Sequence, residues 1–261
     1  MNILVCLKMV SRATYTDMLC SDDASDDRLS GGAIEINPAD AYAFETALKL
    51  KDRYGAYVTV LSMSPMLAEP MLRSALAMGA DEAVLVCDRI FAGSDTIATA
   101  KTLSAALKAL PRQDMIFCGS KAIDSETGHI GAQLAALNEL RYMGDVLAVN
   151  ELRDGRLCVK HAGKHGAEEY SLVLPAVFSI INGTGMIRSP TIFGLRSSAK
   201  REIRIMTGDT LHLTAEQAGK NASGTETVRI DRLSFAHRHG AYTDDVHDGA
   251  AGLAEMLECA K

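Results

Sequence analysis

Met115-Ile116-Phe117-Cys118-Gly119-Ser120-Lys121-Ala122-Ile123-Asp124-Ser125-Glu126-Thr127-Gly128-His129-Ile130-Gly131 runs from an apolar stretch, through a polar loop, towards a helix. Four consecutive apolar residues suit a strand buried on both faces. Gly119 ends it, and Ser125 or Thr127 is placed to open a helix running through Ala136. Free N–H groups at a helix start, with hydroxyls nearby, suit an anion such as phosphate. Small residues let a ligand approach the backbone closely. Taken alone, the same features also describe an ordinary helix cap. What surrounds them decides the fold.

Upstream, strand and helix patterns alternate. Asn2 to Leu7 is a short apolar run, and Asn37-Pro38-Ala39-Asp40 opens a helix with Asn as cap and Pro at the first helical position. Ala43, Ala47, Leu48 and Leu50 give that helix its apolar side, and Gly55 stops it. Tyr57–Met63 reads as the second strand, Pro65–Met78 as a helix closed by Gly79, and Ala83–Cys87 as the third strand. Ser94 or Asp95 caps a helix to about Leu110, and Met115–Cys118 is the fourth strand. This alternation predicts an α/β fold: a Rossmann-like, doubly wound, mostly parallel sheet of the adenine-nucleotide-binding type. Right-handed crossovers put the strands' carboxyl ends on one edge, where such sheets bind ligands. The loops there are 8–36, 63–65, 87–95 and 118–127.

Beyond residue 150 the pattern changes to an added β-hairpin. Asp154-Gly155 is a hairpin turn, and Leu157–Lys160 and Tyr170–Leu174 read as antiparallel strands around a turn at Gly163–Gly166. Pro175–Ile181 is another buried strand, 182–200 a loop, and Asp248–Cys259 a helix in an otherwise weakly patterned tail. The expected division is a domain at 1–195 and a C-terminal arm at 196–261, which lacks the apolar periodicity for a core of its own.

Composition narrows the function classes. Across 261 residues, 27 Lys and Arg face 33 Asp and Glu, for a net charge of −6, so there is no chain-wide basic footprint for nucleic acid. With 7 Tyr, 6 Phe and no Trp, aromatic stacking platforms are scarce. Cys6, Cys20, Cys87, Cys118, Cys158 and Cys259 form no CxxC pair and no zinc-like spacing, so no metal is expected. Scattered single thiols and the absence of a signal-like N-terminus lead to an expected cytoplasmic location. No run approaches the roughly 18 apolar residues of a membrane span. G-x-G-x-x-G, G-x-x-x-x-G-K-[ST] and G-x-S-x-G are absent; Ser30-Gly31-Gly32 follows an acidic loop with Asp22, Asp23, Asp26 and Asp27 rather than a strand. His161 and His165 read as members of a solvated hairpin turn, and His129 as a nucleotide contact.

Several motifs then coincide in order. Asn37-Pro38-Ala39-Asp40 precedes Ala47-Leu48-Lys49-Leu50-Lys51, and Leu76-Ala77-Met78-Gly79-Ala80-Asp81 precedes the third strand. Phe91-Ala92-Gly93-Ser94-Asp95-Thr96 with Ala98-Thr99, Ala122-Ile123-Asp124 with Thr127, and Leu174-Pro175-Ala176-Val177 follow. Over roughly residues 1–205 the chain resembles the beta subunit of electron-transfer flavoprotein.

The resemblance implies a heterodimer with an alpha subunit that carries one FAD, shuttling electrons between a donor and an acyl-CoA dehydrogenase-like or other flavin dehydrogenase. Beta subunits of the ordinary type bind AMP and those of the electron-bifurcating type a second FAD. Phe91–Thr99 resembles the bifurcating type, so FAD is expected here, with AMP as the alternative. The implied cofactor-binding residues are Cys6, Lys8, Asn37, Pro38, Ala39, Asp40, Met63, Asp124, Ser125, Glu126, Thr127, Gly128, His129, Ile130 and Gly131, with Asp95, Thr96 and Thr99 added for a flavin. Where the family commonly has Gln, this chain has His129, and the Val-Pro-Asp usual after strand one is Val10-Ser11-Arg12. The implied docking residues are Ile192, Phe193, Leu195 and Arg196, with Lys200 and Arg201 beside them. The 196–261 arm would pack on the partner subunit. No side chain is implied to do covalent chemistry; the flavin would supply the redox step. A stand-alone, stress-type adenine-nucleotide-binding module is the competing reading.

Overall fold

The computed structural model describes residues 1–11, 34–181, 183, 185–226, 228 and 244–259. The acidic stretch around Asp22 to Asp27, Ser30-Gly31-Gly32 and Arg12 lie outside the described residues.

The sheet begins where the apolar runs are. In β1 (Asn2–Cys6), Ile3 and Val5 pack on one face of the sheet while Leu4 and Cys6 pack on the other. That two-sided burial is why the run does not alternate with polar residues. Short β2 (Met9–Ser11) and β3 (Ile34–Ile36) pair antiparallel as a separate ladder. Next come α1 (Pro38–Tyr54), β4 (Tyr57–Met63), α2 (Glu69–Met78) and β5 (Glu82–Val86). They are followed by α3 (Thr96–Lys108), β6 (Met115–Gly119) and α4 (Ile130–Leu137). A long hairpin system, β7 (Arg141–Arg153), β8 (Arg156–Gly163) and β9 (Gly166–Val173), leads to β10 (Ala176–Ile180). Asp154 and Gly155 make the β7–β8 turn with φ of 50° and 69°, the left-handed pair a two-residue hairpin needs.

Nine strands form one sheet in the order β11-β5-β4-β1-β6-β10-β7-β8-β9, with β11 (Arg204–Met206) at one edge. Pairings are parallel from β11 through to β7, and antiparallel for β7–β8 and β8–β9. This is the expected doubly wound α/β sheet with an added hairpin. Phe44, Ala47 and Leu48 of α1 and Leu72 and Leu76 of α2 cover one face; Leu103 and Leu107 of α3 and Leu134 of α4 cover the other. The chain builds outward from β1 through β4 to β5, then crosses back to β6 and β10. The order therefore reverses between β1 and β6, and in doubly wound sheets such a reversal is where a crevice lies beyond the strands' carboxyl ends.

Three elements differ from expectation. The helix after β6 starts at Ile130, later than Ser125 or Thr127, because Glu126 (φ 50°) and Gly128 (φ 66°) hold left-handed backbone that no helix continues through. The expected loop 182–200 contains a short helix, α5 (Ile192–Ser198), capped by Thr191, whose Oγ1 accepts from Gly194 N at 3.0 Å. The expected arm contributes β11, then α6 (Gly208–Leu211) and α7 (Gly219–Ala222); three strand residues are too few to carry a readable period. By its contacts the unit holding the sheet runs from Met1 to Thr227. A second unit, Val228–Lys261, contains α8 (Val246–Cys259), which leaves Val246, Leu253, Met256 and Leu257 exposed. No helix among the described residues is long and apolar enough to cross a membrane.

Candidate functional site

Asp40 lies in the first turn of α1 and is buried beneath the crevice. Its Oδ2 accepts from Lys8 N at 2.8 Å and its Oδ1 from Gly119 N at 2.7 Å. One carboxylate thus ties the chain just past β1 to the end of β6. Gly119 is needed for this: a Cβ there would collide with Asp40 Oδ1 and come within 2.7 Å of the Ala39 Cβ. Burial pushes the Asp40 carboxyl up to about 6, against the pull of those backbone hydrogen bonds, Asn37 and the Lys8 charge. Pro38 occupies the first helical position and Ala39 is buried beside Gly119.

Asn37 holds the N-cap position of α1, and its carbonyl accepts from Ala41 N at 3.0 Å, but its side chain makes no capping hydrogen bond. Its Oδ1 accepts from Ile123 N at 3.1 Å and its Nδ2 donates to Lys121 O at 3.0 Å. The side chain is spent instead on shaping the loop after β6. From that loop, Asp124 meets Lys8 Nζ at 2.6 Å across the crevice. Lys121 and Glu126 pair at 3.1 Å nearby. Ser125, Glu126, Thr127 and His129 are exposed around the rim, with Ile130 half-buried at the start of α4. Gly128 closes the loop where a Cβ would crowd Ser120 O at 3.1 Å, and Gly131 sits where a Cβ would strike Ser179 Oγ.

Cys6 and Cys118 end their strands side by side, both buried and free. The neighbouring Cys6 thiol and burial hold the Cys118 thiol well above its usual range, so it stays neutral. Met63 is half-buried at the end of β4, on the same sheet edge. Alongside the loop, a cleft of about 500 Å³ is lined by Ser120, Lys121, Tyr142, Asp145 and Ser179 among others. In it the Tyr142 hydroxyl donates to Ser179 Oγ at 3.0 Å.

Asp95, Thr96 and Thr99 turn to different partners at the start of α3. Asp95 caps α3 by accepting from Ala98 N at 2.9 Å. Its other oxygen, Oδ2, accepts from Gly224 N, Thr225 N and Thr225 Oγ1. Desolvation opposes its charge, but these hydrogen bonds outweigh it and hold the carboxyl below the usual range. This carboxylate fastens the segment at Gly224 and Thr225 to the start of α3. Thr96 instead turns to α4, where Gln133 Nε2 donates to its Oγ1 at 3.3 Å. Thr99 is half-buried one turn further on.

The Gln133 Oε1 is buried without a hydrogen-bond partner among the described residues. Beside the Thr96 hydroxyl, this orphaned acceptor is the kind of group a polar ligand satisfies. Lys8, the loop amides and the hydroxyls at the rim suit a nucleotide as well. Sequence reading missed Gln133, because one Gln on a short helix carries no spacing signal. It also missed the pairing of Tyr142 with Ser179, whose residues are far apart in the chain.

Away from the crevice, α5 exposes Ile192 (84%), Phe193 (85%) and Leu195 (51%), with Arg196 following. Its seat is rigid. A Cβ at Gly194 would strike the Ala77 carbonyl of α2. Arg73 Nη1 donates to Ser198 O and Arg201 O, and Arg201 donates to Ala80 O and Asp81 O. Just before α5, Arg188 grips Glu45 through both oxygens at 2.9 and 3.0 Å, and Asp52 at 2.8 Å. The apolar side chains are held out, not packed away.

A protein-family comparison matches residues 30–203 to the electron transfer flavoprotein domain. The chain belongs to the electron transfer flavoprotein family. Its relatives include the electron transfer flavoprotein subunit beta of Thermoanaerobacterium thermosaccharolyticum, 35% identical over 98% of both chains. The caffeyl-CoA reductase-Etf complex subunit CarD of Acetobacterium woodii is 34% identical, covering 88% of this chain and 87% of the relative. The acryloyl-CoA reductase electron transfer subunit gamma of Anaerotignum propionicum is 43% identical, covering 61% and 64% respectively. For an electron transfer flavoprotein chain, the crevice between β1 and β6 and the apolar face of α5 are the two features to explain.

Proposed function

We propose that this chain is the beta subunit of a heterodimeric electron transfer flavoprotein that binds FAD at the β1/β6 crevice and passes electrons between a donor and a flavin dehydrogenase, by flavin-based bifurcation. The observation that carries the reading is the network of Asp40, Lys8, Asn37 and Asp124, which builds one polar site from three separate segments at the point where strand order reverses. In this reading Cys6, Met63, Pro38 and Ala39 line the adenosine end. Lys8 and the 124–131 loop, with Ser125, Glu126, Thr127, Gly128, His129, Ile130 and Gly131, hold the phosphate side. Thr96 and Thr99 contact the flavin half, with Asp95 behind them as the cap that fixes α3. A bound flavin supplies the electron-transfer chemistry. The chain's own groups bind, orient and set the electric field around it.

The exposed side chains of α5 support a docking role. Three apolar residues held outward by a clamped helix, with Arg196, Lys200 and Arg201 around them, suit an apolar hot spot with a basic rim. A dehydrogenase with an apolar, acid-rimmed patch fits that surface. The exposed apolar residues of α8 suit packing on an alpha subunit. The free thiols of Cys6, Cys87, Cys118 and Cys158 accord with a reducing, cytoplasmic setting.

Co-expression with an alpha subunit from the same genome, purification, and chromatography of released nucleotides test the proposal. Two flavins per heterodimer are expected. One flavin plus AMP would replace bifurcation by the ordinary electron-carrier role, and a heterodimer without flavin would overturn the reading.

A further inference from the structure

Gln133 reaches from the first turns of α4 to the first residue of α3. These two helices lie on the same face of the sheet and flank the carboxyl ends of β5 and β6. Its Nε2 donates to Thr96 Oγ1 at 3.3 Å, the one side-chain hydrogen bond between the two helix starts among the described residues. Its Oε1 is buried and has no hydrogen-bond partner among the described residues. Both facts bear on hydrogen-bond direction. Having accepted from Gln133, the Thr96 hydroxyl keeps its own proton to donate. The orphaned Oε1 offers an acceptor beside it. An acceptor shut off from water and left unsatisfied is costly, so the arrangement awaits a donor.

We propose that Gln133 is the residue that selects FAD over AMP in this subunit, holding Thr96 as a donor and presenting Oε1 as an acceptor to the part of FAD that AMP lacks. The inference rests on the proposed FAD site and deepens it. AMP ends at the adenosine phosphate, on the side of Lys8 and the 124–131 loop. The second phosphate, ribityl chain and flavin ring must extend beyond that loop, and the start of α3 lies next to it. The ribityl hydroxyls and the flavin ring supply both donors and acceptors, which is what the Thr96–Gln133 pair requires. Asp95 contributes indirectly: its carboxylate is consumed by Ala98, Gly224 and Thr225, so the polar groups left to a ligand at this helix start are the hydroxyls. Gln133 is therefore a positioning residue through Thr96 as well as a contact in its own right.

The test uses the heterodimer purified with its alpha subunit, with released FAD and AMP counted for wild type, Gln133→Leu, Gln133→Glu and Thr96→Val. Wild type is expected to hold two flavins. Gln133→Leu is expected to lose FAD from the beta site by roughly tenfold in affinity, the size of one well-made hydrogen bond, and to carry AMP in its place. Gln133→Glu keeps an acceptor but cannot donate to Thr96, and should fall between wild type and Gln133→Leu. Thr96→Val should add little to Gln133→Leu, because the two act as one unit. Melting curves with AMP saturating separate a merely structural role, since loss of fold would cost AMP and FAD equally. A two-flavin wild type whose FAD:AMP ratio is indifferent to Gln133 overturns this inference and leaves the proposed function standing. A wild type that holds only AMP in the beta site overturns the FAD reading and the inference together.

Discussion

Asp40 Oδ1 accepts the amide hydrogen of Gly119 at 2.7 Å, from a carboxylate that is buried under the crevice. Its other oxygen takes the Lys8 amide. The folded carboxyl sits at about 6, against 3.8 as its ordinary value. Between those limits the folded chain keeps a proton that the unfolded chain has lost. Stability from this group therefore falls as pH rises from about 4 to about 6 and is level above that. Asp40→Asn removes the titration but turns an NH₂ group towards one of two amide donors, which costs on the order of 1–3 kcal/mol. Chemical denaturation of the isolated chain across pH should show the wild-type minus Asp40→Asn difference shrinking by on the order of 2–3 kcal/mol over that window. A flat difference would show that the carboxyl is not buried as described.

Lys8 and Asp124 differ in kind. The Lys8 side chain is 39% exposed, so its ion pair with Asp124 contributes less than about 1 kcal/mol to folding. Its expected value lies in binding a phosphate. Lys8→Met should leave the melting temperature within a degree or two, yet weaken adenine-nucleotide binding by roughly tenfold, with a shallower salt dependence. Calorimetric titration with AMP at two salt concentrations reads both. Equal losses of stability and affinity would make the pair structural.

The order of strands and helices was legible because two-sided burial writes continuous apolar runs, as in Ile3-Leu4-Val5 and Met115-Ile116-Phe117. The loop after β6 was legible as a polar loop leading into a helix, but not where that helix starts. Two left-handed residues, Glu126 and Gly128, delay α4, and nothing local in Ser125-Glu126-Thr127 announces that. Asn37 holds the cap position that its type suits, yet Lys121 and Ile123, more than eighty residues away, claim its side chain. Asp95 did cap its helix, but its second oxygen belongs to Gly224 and Thr225. Short polar side chains have several uses, and long-range partners choose among them. β11 and α5 were missed because three or seven residues at a surface leave no period to detect.

Phe193 is 85% exposed on α5, so Phe193→Ala should change stability by less than about 0.5 kcal/mol. If the face docks a dehydrogenase, Phe193→Ala and Ile192→Asp should slow interprotein electron transfer by roughly tenfold or more, with nucleotide content unchanged. Stopped-flow reduction against a cognate dehydrogenase, paired with nucleotide counting, checks this. Unchanged transfer would free the surface of that role.

Arg188 anchors to α1 the segment that leads into α5. Its guanidinium covers Glu45, whose side chain is 7% exposed. Arg188→Met strands that carboxylate, and an uncompensated buried charge is costly; on the order of 2–3 kcal/mol is expected, below the fully buried limit because Arg188 itself is 30% exposed. Glu45→Gln should cost less, since an amide still accepts from the guanidinium. Pairing Arg188→Met with Glu45→Leu should recover part of the loss, as a double-mutant cycle measured by urea denaturation would read.

Gly194→Ala isolates how α5 is seated. At an ordinary helix position this change stabilises by about 0.5–1 kcal/mol, because glycine has more backbone freedom to lose. Here the added methyl meets the Ala77 carbonyl and approaches Thr191 Oγ1 at 3.1 Å. The neighbour is backbone of α2 and cannot rotate aside, so α5 must lift. Lifting it breaks the contact that aims Ile192 and Phe193 outward and strains the Arg73 hydrogen bonds to Ser198 and Arg201. Overpacking of this kind costs about 1–3 kcal/mol, opposite in sign to the propensity gain. The sign is therefore diagnostic: a lower melting temperature with slower transfer to the dehydrogenase and intact nucleotide binding shows that close seating on α2 makes the docking face. A higher melting temperature would mean that α5 stands clear of Ala77, and that the exposed apolar residues are not held by this contact.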